Sequence, residues 1–123
     1  MNPDTERLLQ SAREVTLVTT GRKNGSPREA ELWFAYDAGA VYFLAGVNSS
    51  GTPTNWCRNL QANPKAALQM EGKSISVVNE PVADAEALKG RVWDLFQAKY
   101  GRSTMRQWYQ DGRHVPVKLR VVA

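Results

Sequence analysis

Residues that commit a protein to a particular chemistry are scarce in this chain. It has one cysteine, Cys57, and one histidine, His114. A single thiol closes no internal disulfide, and the two residues together make no metal-ligand cluster, so no metal is expected. No apolar run approaches the length that crosses a bilayer, and the N-terminus lacks the apolar core of a secretory signal. Membrane association is therefore not expected, and a cytoplasmic location is. Repeats, low-complexity tracts and linkers are also missing, so residues 1–123 read as one domain large enough for a hydrophobic core. The net charge of +4 suits an anionic ligand. Without a helix-turn-helix, zinc-finger or RNA-recognition motif, nucleic acid is not the expected partner.

Turn residues and short alternating stretches fill most of the chain. Asn2 to Arg13 has the spacing of a short amphipathic helix. Val15 to Thr20 is β-branched and strand-like, and Asn24-Gly25 marks a hairpin turn into a second alternating run, Arg28 to Asp37. There Ala30, Leu32, Phe34 and Tyr36 share one face, and Glu29, Glu31, Trp33 and Ala35 the other. Asp37-Ala38-Gly39 turns the chain into Val41–Ala45. Lys65–Met70 and Ser74–Glu80 make another pair. Asp84 is placed to cap a helix running to about Tyr100, which Gly101 ends. A short aromatic segment, Met105 to Tyr109, precedes a last strand over Val115–Val121. Six strands, mostly antiparallel, with helical insertions predict a small closed barrel, because closure removes exposed edges.

Two stretches read as site rather than scaffold. In Ala45–Pro64 a loop of small polar residues, Ser49, Ser50, Gly51 and Thr52, enters a predicted helix. Thr52 is expected as its N-cap and Pro53 at its first position. That helix carries Asn55, Trp56, Arg58 and Asn59 and stops before Asn63-Pro64. Its start, with free amides, suits a phosphate or carboxylate. The second stretch is the basic turn Arg22, Lys23 and Arg28. If the meander brings this tip beside the helix, these cations and Arg58 line one anionic pocket with the Ser49–Thr52 loop. A polar loop linking two strands and a solvated basic hairpin are the plainer alternatives. Trp33 and Trp56 are placed to cover a planar ring. Cys57 with His114 is a poor nucleophilic dyad, because no spacing enforces their contact.

These motifs resemble a known family. Thr19-Thr20-Gly21-Arg22-Lys23-Asn24-Gly25-Ser26-Pro27-Arg28, then Leu32-Trp33-Phe34, then Trp56-Cys57-Arg58-Asn59-Leu60 with Asn63-Pro64, is similar to the deazaflavin-dependent nitroreductase and quinone reductase family. That family lies within the pyridoxamine phosphate oxidase-like flavin-binding split barrels. The resemblance implies a mainly β, six-stranded antiparallel split β-barrel, usually a homodimer, and coenzyme F420 as hydride donor to a small conjugated acceptor such as a quinone, nitroaromatic or enone.

Carried over by position, Arg22, Lys23 and Arg28 hold the cofactor's phosphate and acidic tail, with Ser26 and Pro27 in the same run. Ala45, Gly46, Asn48, Ser49, Ser50, Gly51 and Thr52 follow its ring, and Trp33, Trp56, Arg58 and Asn59 shape the site. Tyr109 is the candidate proton donor, with solvent as its alternative. Two departures stand out. The loop has no lysine where nitroreductase relatives often carry one, and Met105, Trp108 and Tyr109 stand where those relatives place several tyrosines. FMN is the alternative cofactor. A non-catalytic flavin or tetrapyrrole carrier of the same barrel group, binding haem or a biliverdin-like ligand, is the second reading, and an unrelated basic RNA-binding barrel the third.

Overall fold

A computed structural model describes residues 2–109 and 113–122. Helix α1 (Pro3–Ser11) comes first, then strands β1 (Val15–Thr20), β2 (Pro27–Leu32), β3 (Ala35–Asp37) and β4 (Ala40–Gly46). After α2 (Asn55–Ala62) come β5 (Lys65–Met70) and β6 (Lys73–Asn79), then α3 (Ala85–Tyr100), α4 (Arg102–Trp108) and β7 (His114–Val121). The strands form one curled antiparallel sheet in the order β2-β1-β5-β6-β7-β4-β3. This is the split-barrel architecture, with seven strands where six were expected.

The extra strand comes from a break in the run Arg28–Asp37. At Trp33–Phe34 the backbone leaves the ladder, because side chains of α3 take Phe34's polar groups. The hydroxyl of Tyr100 accepts from the Phe34 amide at 3.1 Å and also lies 3.0 Å from its carbonyl oxygen, to which Lys99 Nζ donates at 2.9 Å. The expected alternation survives the break. Leu32, Phe34 and Tyr36 face one core, while Trp33 and Ala35 face another.

Those two cores explain the continuous apolar run of β4. Val41, Phe43 and Ala45 pack inside the sheet's curl against Leu17, Leu68, Val77 and Leu119, with Leu9 of α1 and Leu60 of α2. Ala40, Tyr42 and Leu44 face the other way, onto Val92, Phe96 and Tyr100 of α3 and Met105 of α4. A strand covered on both faces has no polar side to show.

The helix signals hold at α3; α1 is shorter than the expected Asn2 to Arg13, with Asn2 outside it as its cap. Asn2 Oδ1 accepts from Asp4 N at 2.7 Å, with Pro3 in the first turn, and Asp84 Oδ1 accepts from Ala87 N at 3.1 Å. At α2 the cap is Thr54 rather than Thr52, and its side chain makes no capping bond. Pro53 is not the first helical residue because it pairs with Val47 in an isolated bridge. The aromatic segment at Met105 proves to be the helix α4.

Candidate functional site

The hairpin joining β1 and β2 is drawn tight by its own backbone. Gly21 N donates to Ser26 O at 2.8 Å, Gly25 N to Gly21 O at 3.0 Å, and Ser26 N to Asn24 Oδ1 at 3.0 Å. Gly25 takes φ +73, the left-handed conformation that glycine adopts without penalty. A Cβ on Gly21 would sit 3.0 Å from the Ser26 carbonyl, so a side chain here would press on the turn's own backbone.

Arg22 then ties the tip to α2. Its Nη1 donates to Asn59 Oδ1 at 2.7 Å and to the Asn55 carbonyl at 3.1 Å, and its Nη2 lies 3.4 Å from Asn55 Oδ1. Asn59 is 4% exposed and donates through Nδ2 to Thr19 Oγ1 at 3.1 Å. Strand, helix and hairpin tip thus share one network, and Asn59 is satisfied on both sides of its amide.

Beside this junction lies a cleft of about 380 Å³, bounded by Arg22, Lys23 and Arg28 on the hairpin and by Asn55, Trp56 and Asn59 on α2. Glu29 is its single acidic wall residue among three cations. A second cleft of about 500 Å³ is bounded by Leu32, Trp33, Gly46, Tyr109 and His114. Trp56 lines both, and β2 runs along both, with Glu29 and Ala30 in the first and Glu31 and Leu32 in the second. From Arg28 to Leu32 the strand advances about 13 Å. The basic and aromatic clefts therefore adjoin, with Trp56 between them.

Aromatic rings build the second compartment. The Trp33 ring stacks on Tyr100 with centroids 4.5 Å apart, and Tyr109 lies 6.1 Å from Trp33 and 5.0 Å from His114. Trp93 and Phe96 meet Tyr109 edge-on. Burial pushes the Tyr109 phenol up, so it stays protonated at neutral pH. Trp56 is held in turn by an edge contact to Phe43 at 5.6 Å.

The structure thus brings together Arg22, Lys23, Arg28, Trp33, Gly46, Trp56, Asn59 and Tyr109. The other candidates lie elsewhere. Ala45 is wholly buried in the core, and Arg58 is half-buried on α2 without lining either cleft. Ser26 and Pro27 are at the hairpin base, outside both clefts.

The Asn48–Thr52 loop is closed on itself. Asn48 Oδ1 accepts from Ser50 N at 3.0 Å and Thr52 N at 2.9 Å, and Gly51 N donates to the Asn48 carbonyl. These amides, expected to be free for an anion, are already used, and Ser49, Ser50 and Gly51 project into solvent. Cys57 is buried, its thiol pushed up by that burial, with Gln61 Nε2 as its polar neighbour at 4.0 Å. Sequence reasoning placed Asn55 on the helix without giving it a site role and missed Thr54; the docking of α2 brings both to the clefts. It also missed Tyr100, whose position before Gly101 signals a helix end and nothing more.

The donor set fits a long ligand that is anionic at one end and flat at the other. Guanidinium and ammonium groups crowd the first compartment, where they suit phosphate and carboxylate oxygens. Aromatic faces and edges line the second, where they suit a conjugated ring. This combination matches a flavin-like cofactor with an acidic tail.

Comparison with known proteins agrees. The family model described as F420H(2)-dependent quinone reductase matches residues 2–121. An F420H(2)-dependent quinone reductase of Mycobacterium tuberculosis is 27% identical over 101 residues, spanning 82% of this chain and 68% of that protein. Among solved structures, an F420 reductase superposes with a TM-score of 0.67 at 20% identity, over 96% of this chain and 93% of its own. The haem storage protein HutZ from Vibrio cholerae gives 0.67 at 15% identity, over 99% and 90%. These two structures share the fold.

Proposed function

The chain belongs to the F420H(2)-dependent quinone reductase family, an oxidoreductase with coenzyme F420 as cofactor, and from that premise we propose that its two-compartment groove is where F420H2 meets a quinone. The observation that carries this reading is the junction at Trp56 between a tricationic cleft and an aromatic one.

Bound there, the reduced deazaflavin supplies a hydride. The chain's own residues supply the rest: anchorage, orientation and a proton. Lys23 and Arg28 bind the phosphodiester and acidic tail. Arg22 spends most of its guanidinium on Asn55 and Asn59, so its main work is to hold the tip against α2. Trp56 marks the passage from tail to ring, and Trp33 and Gly46 flank the ring compartment. Holding two flat partners face to face lowers the entropic part of the barrier. A quinone that takes up a hydride also needs one proton, and Tyr109 Oη is the protein group proposed to give it.

The same compartment suits nitroaromatic and enone acceptors, which are also flat and conjugated. We read the working unit as a cytoplasmic homodimer, since β2 is an edge strand left exposed along the groove and a second subunit would cover it. Sedimentation as a dimer at micromolar concentration checks that; a monomer contradicts it.

Titration at matched ionic strength tests the function. Tighter binding of F420 than FMN, with oxidation of F420H2 by menadione, is expected. Tight FMN binding without F420 affinity would overturn the reading.

A further inference from the structure

We infer that Tyr100 is a positioning residue for the aromatic compartment: it sets the plane of Trp33 and so fits that compartment to flat conjugated rings. This rests on the proposed role of the groove. Tyr100 is the last residue of α3 and touches two consecutive residues at the β2–β3 break by different means. Its hydroxyl grips the backbone of Phe34, accepting from the amide at 3.1 Å and lying 3.0 Å from the carbonyl oxygen. The same hydroxyl lies 2.7 Å from the carbonyl of Arg13, so its one proton is shared between two acceptors. Its ring lies flat on Trp33, at 4.5 Å and with the planes 13° apart. Backbone and ring of the break are thus fixed by one side chain.

Tyr100 is itself held firmly. Phe96 packs edge-on against its ring at 5.5 Å, and the Arg13 guanidinium sits 4.9 Å from the ring centre. Lys99 adds a second hold on Phe34, donating to its carbonyl with Nζ 3.7 Å above its ring. One face of Trp33 is therefore taken by Tyr100, Tyr109 tilts against the indole at 6.1 Å, and the rest of the indole lines the groove. A fixed indole wall favours a ligand that can stack and gives little to a puckered saturated ring. Two flat rings enter the groove, the deazaflavin's and the acceptor's, and separate measurements show which of them Trp33 meets.

The test uses Y100F, Y100L, W33L and the double variant W33L/Y100L. In the ligand-free protein, the near-ultraviolet circular dichroism lost in W33L reports the Trp33 environment, and Y100L is expected to lose the same signal. Y100L and W33L should each weaken F420 binding, or raise the KM for menadione, by up to about tenfold, the range of an aromatic pair. The first result assigns Trp33 to the cofactor ring and the second to the acceptor. The double variant should be no worse than either single one. Y100F, which keeps the stack and loses the grip on Phe34, should show a smaller change of the same kind, and it serves where Y100L does not fold. Multiplying effects in the double variant, or a retained Trp33 signal with unchanged binding and KM, would overturn the role of Tyr100. A wild-type protein without F420 affinity would instead overturn the reading of the groove itself.

Discussion

Arg22 shows how a residue chosen for its charge acquires a second task from its neighbours. The basic turn reads as three equivalent anion ligands, yet only Lys23 and Arg28 keep their charged groups clear of α2. Replacing Arg22 by alanine should therefore weaken F420 binding and also lower stability by about 1–3 kcal/mol, because the buried Asn59 carbonyl loses its donor. Thermal unfolding compared with K23A checks this: an equal Tm in the two variants contradicts the network.

Tyr100 gives a sign that can be read in pH. Burial, above all, raises its phenol to about 12, while burial and then Arg13 lower the Lys99 ammonium to about 8. A raised tyrosine contributes stability in full below its ordinary value near 10 and loses it as pH climbs towards 12. A lowered lysine acts oppositely, and stability rises from about pH 8 to its ordinary value near 10.5. Denaturant unfolding should show Y100F losing the fall above pH 10, and K99M losing the rise below it.

Elements with strong local signals were legible, and those settled by tertiary contact were not. Asp84 before an amphipathic run and Gly101 after it fix α3, because a cap and a left-handed glycine act within one turn of chain. Gly101 has φ +94 and serves as both the C-cap of α3 and the N-cap of α4. G101A should cost about 1 kcal/mol or more in thermal unfolding, through strain at that angle; an unchanged Tm would mean the junction relaxes freely. The break between β2 and β3 has no local signature, since Trp33-Phe34 continues the alternation without a proline or glycine. Its cause lies at Lys99 and Tyr100, more than sixty residues away. The cap of α2 was misplaced for a similar reason: Thr52-Pro53 is a good local start, but the Val47–Pro53 bridge keeps Pro53 extended.

Across the whole molecule, the curl of one sheet brings a hairpin near the start of the chain beside α2 and leaves α3 and α4 to cover its other side. Turn and charge signals in the sequence picked out the basic tip, and the family resemblance pointed to Trp56 and Asn59. The amides of the Asn48–Thr52 loop looked free, whereas Asn48 already binds those of Ser50, Gly51 and Thr52. The two halves of the groove come from separated stretches of chain, so their continuity at Trp56 appears only in three dimensions. That continuity is the centre of the account, and the F420 affinity of K23A/R28A tests it most directly. At constant ionic strength this variant should bind F420 more weakly by roughly 2–6 kcal/mol, the sum of two charge-assisted contacts of about 1–3 kcal/mol each. Its Tm should barely move, because both charges are exposed. Unchanged F420 affinity in a folded K23A/R28A protein would place the cofactor somewhere other than this groove.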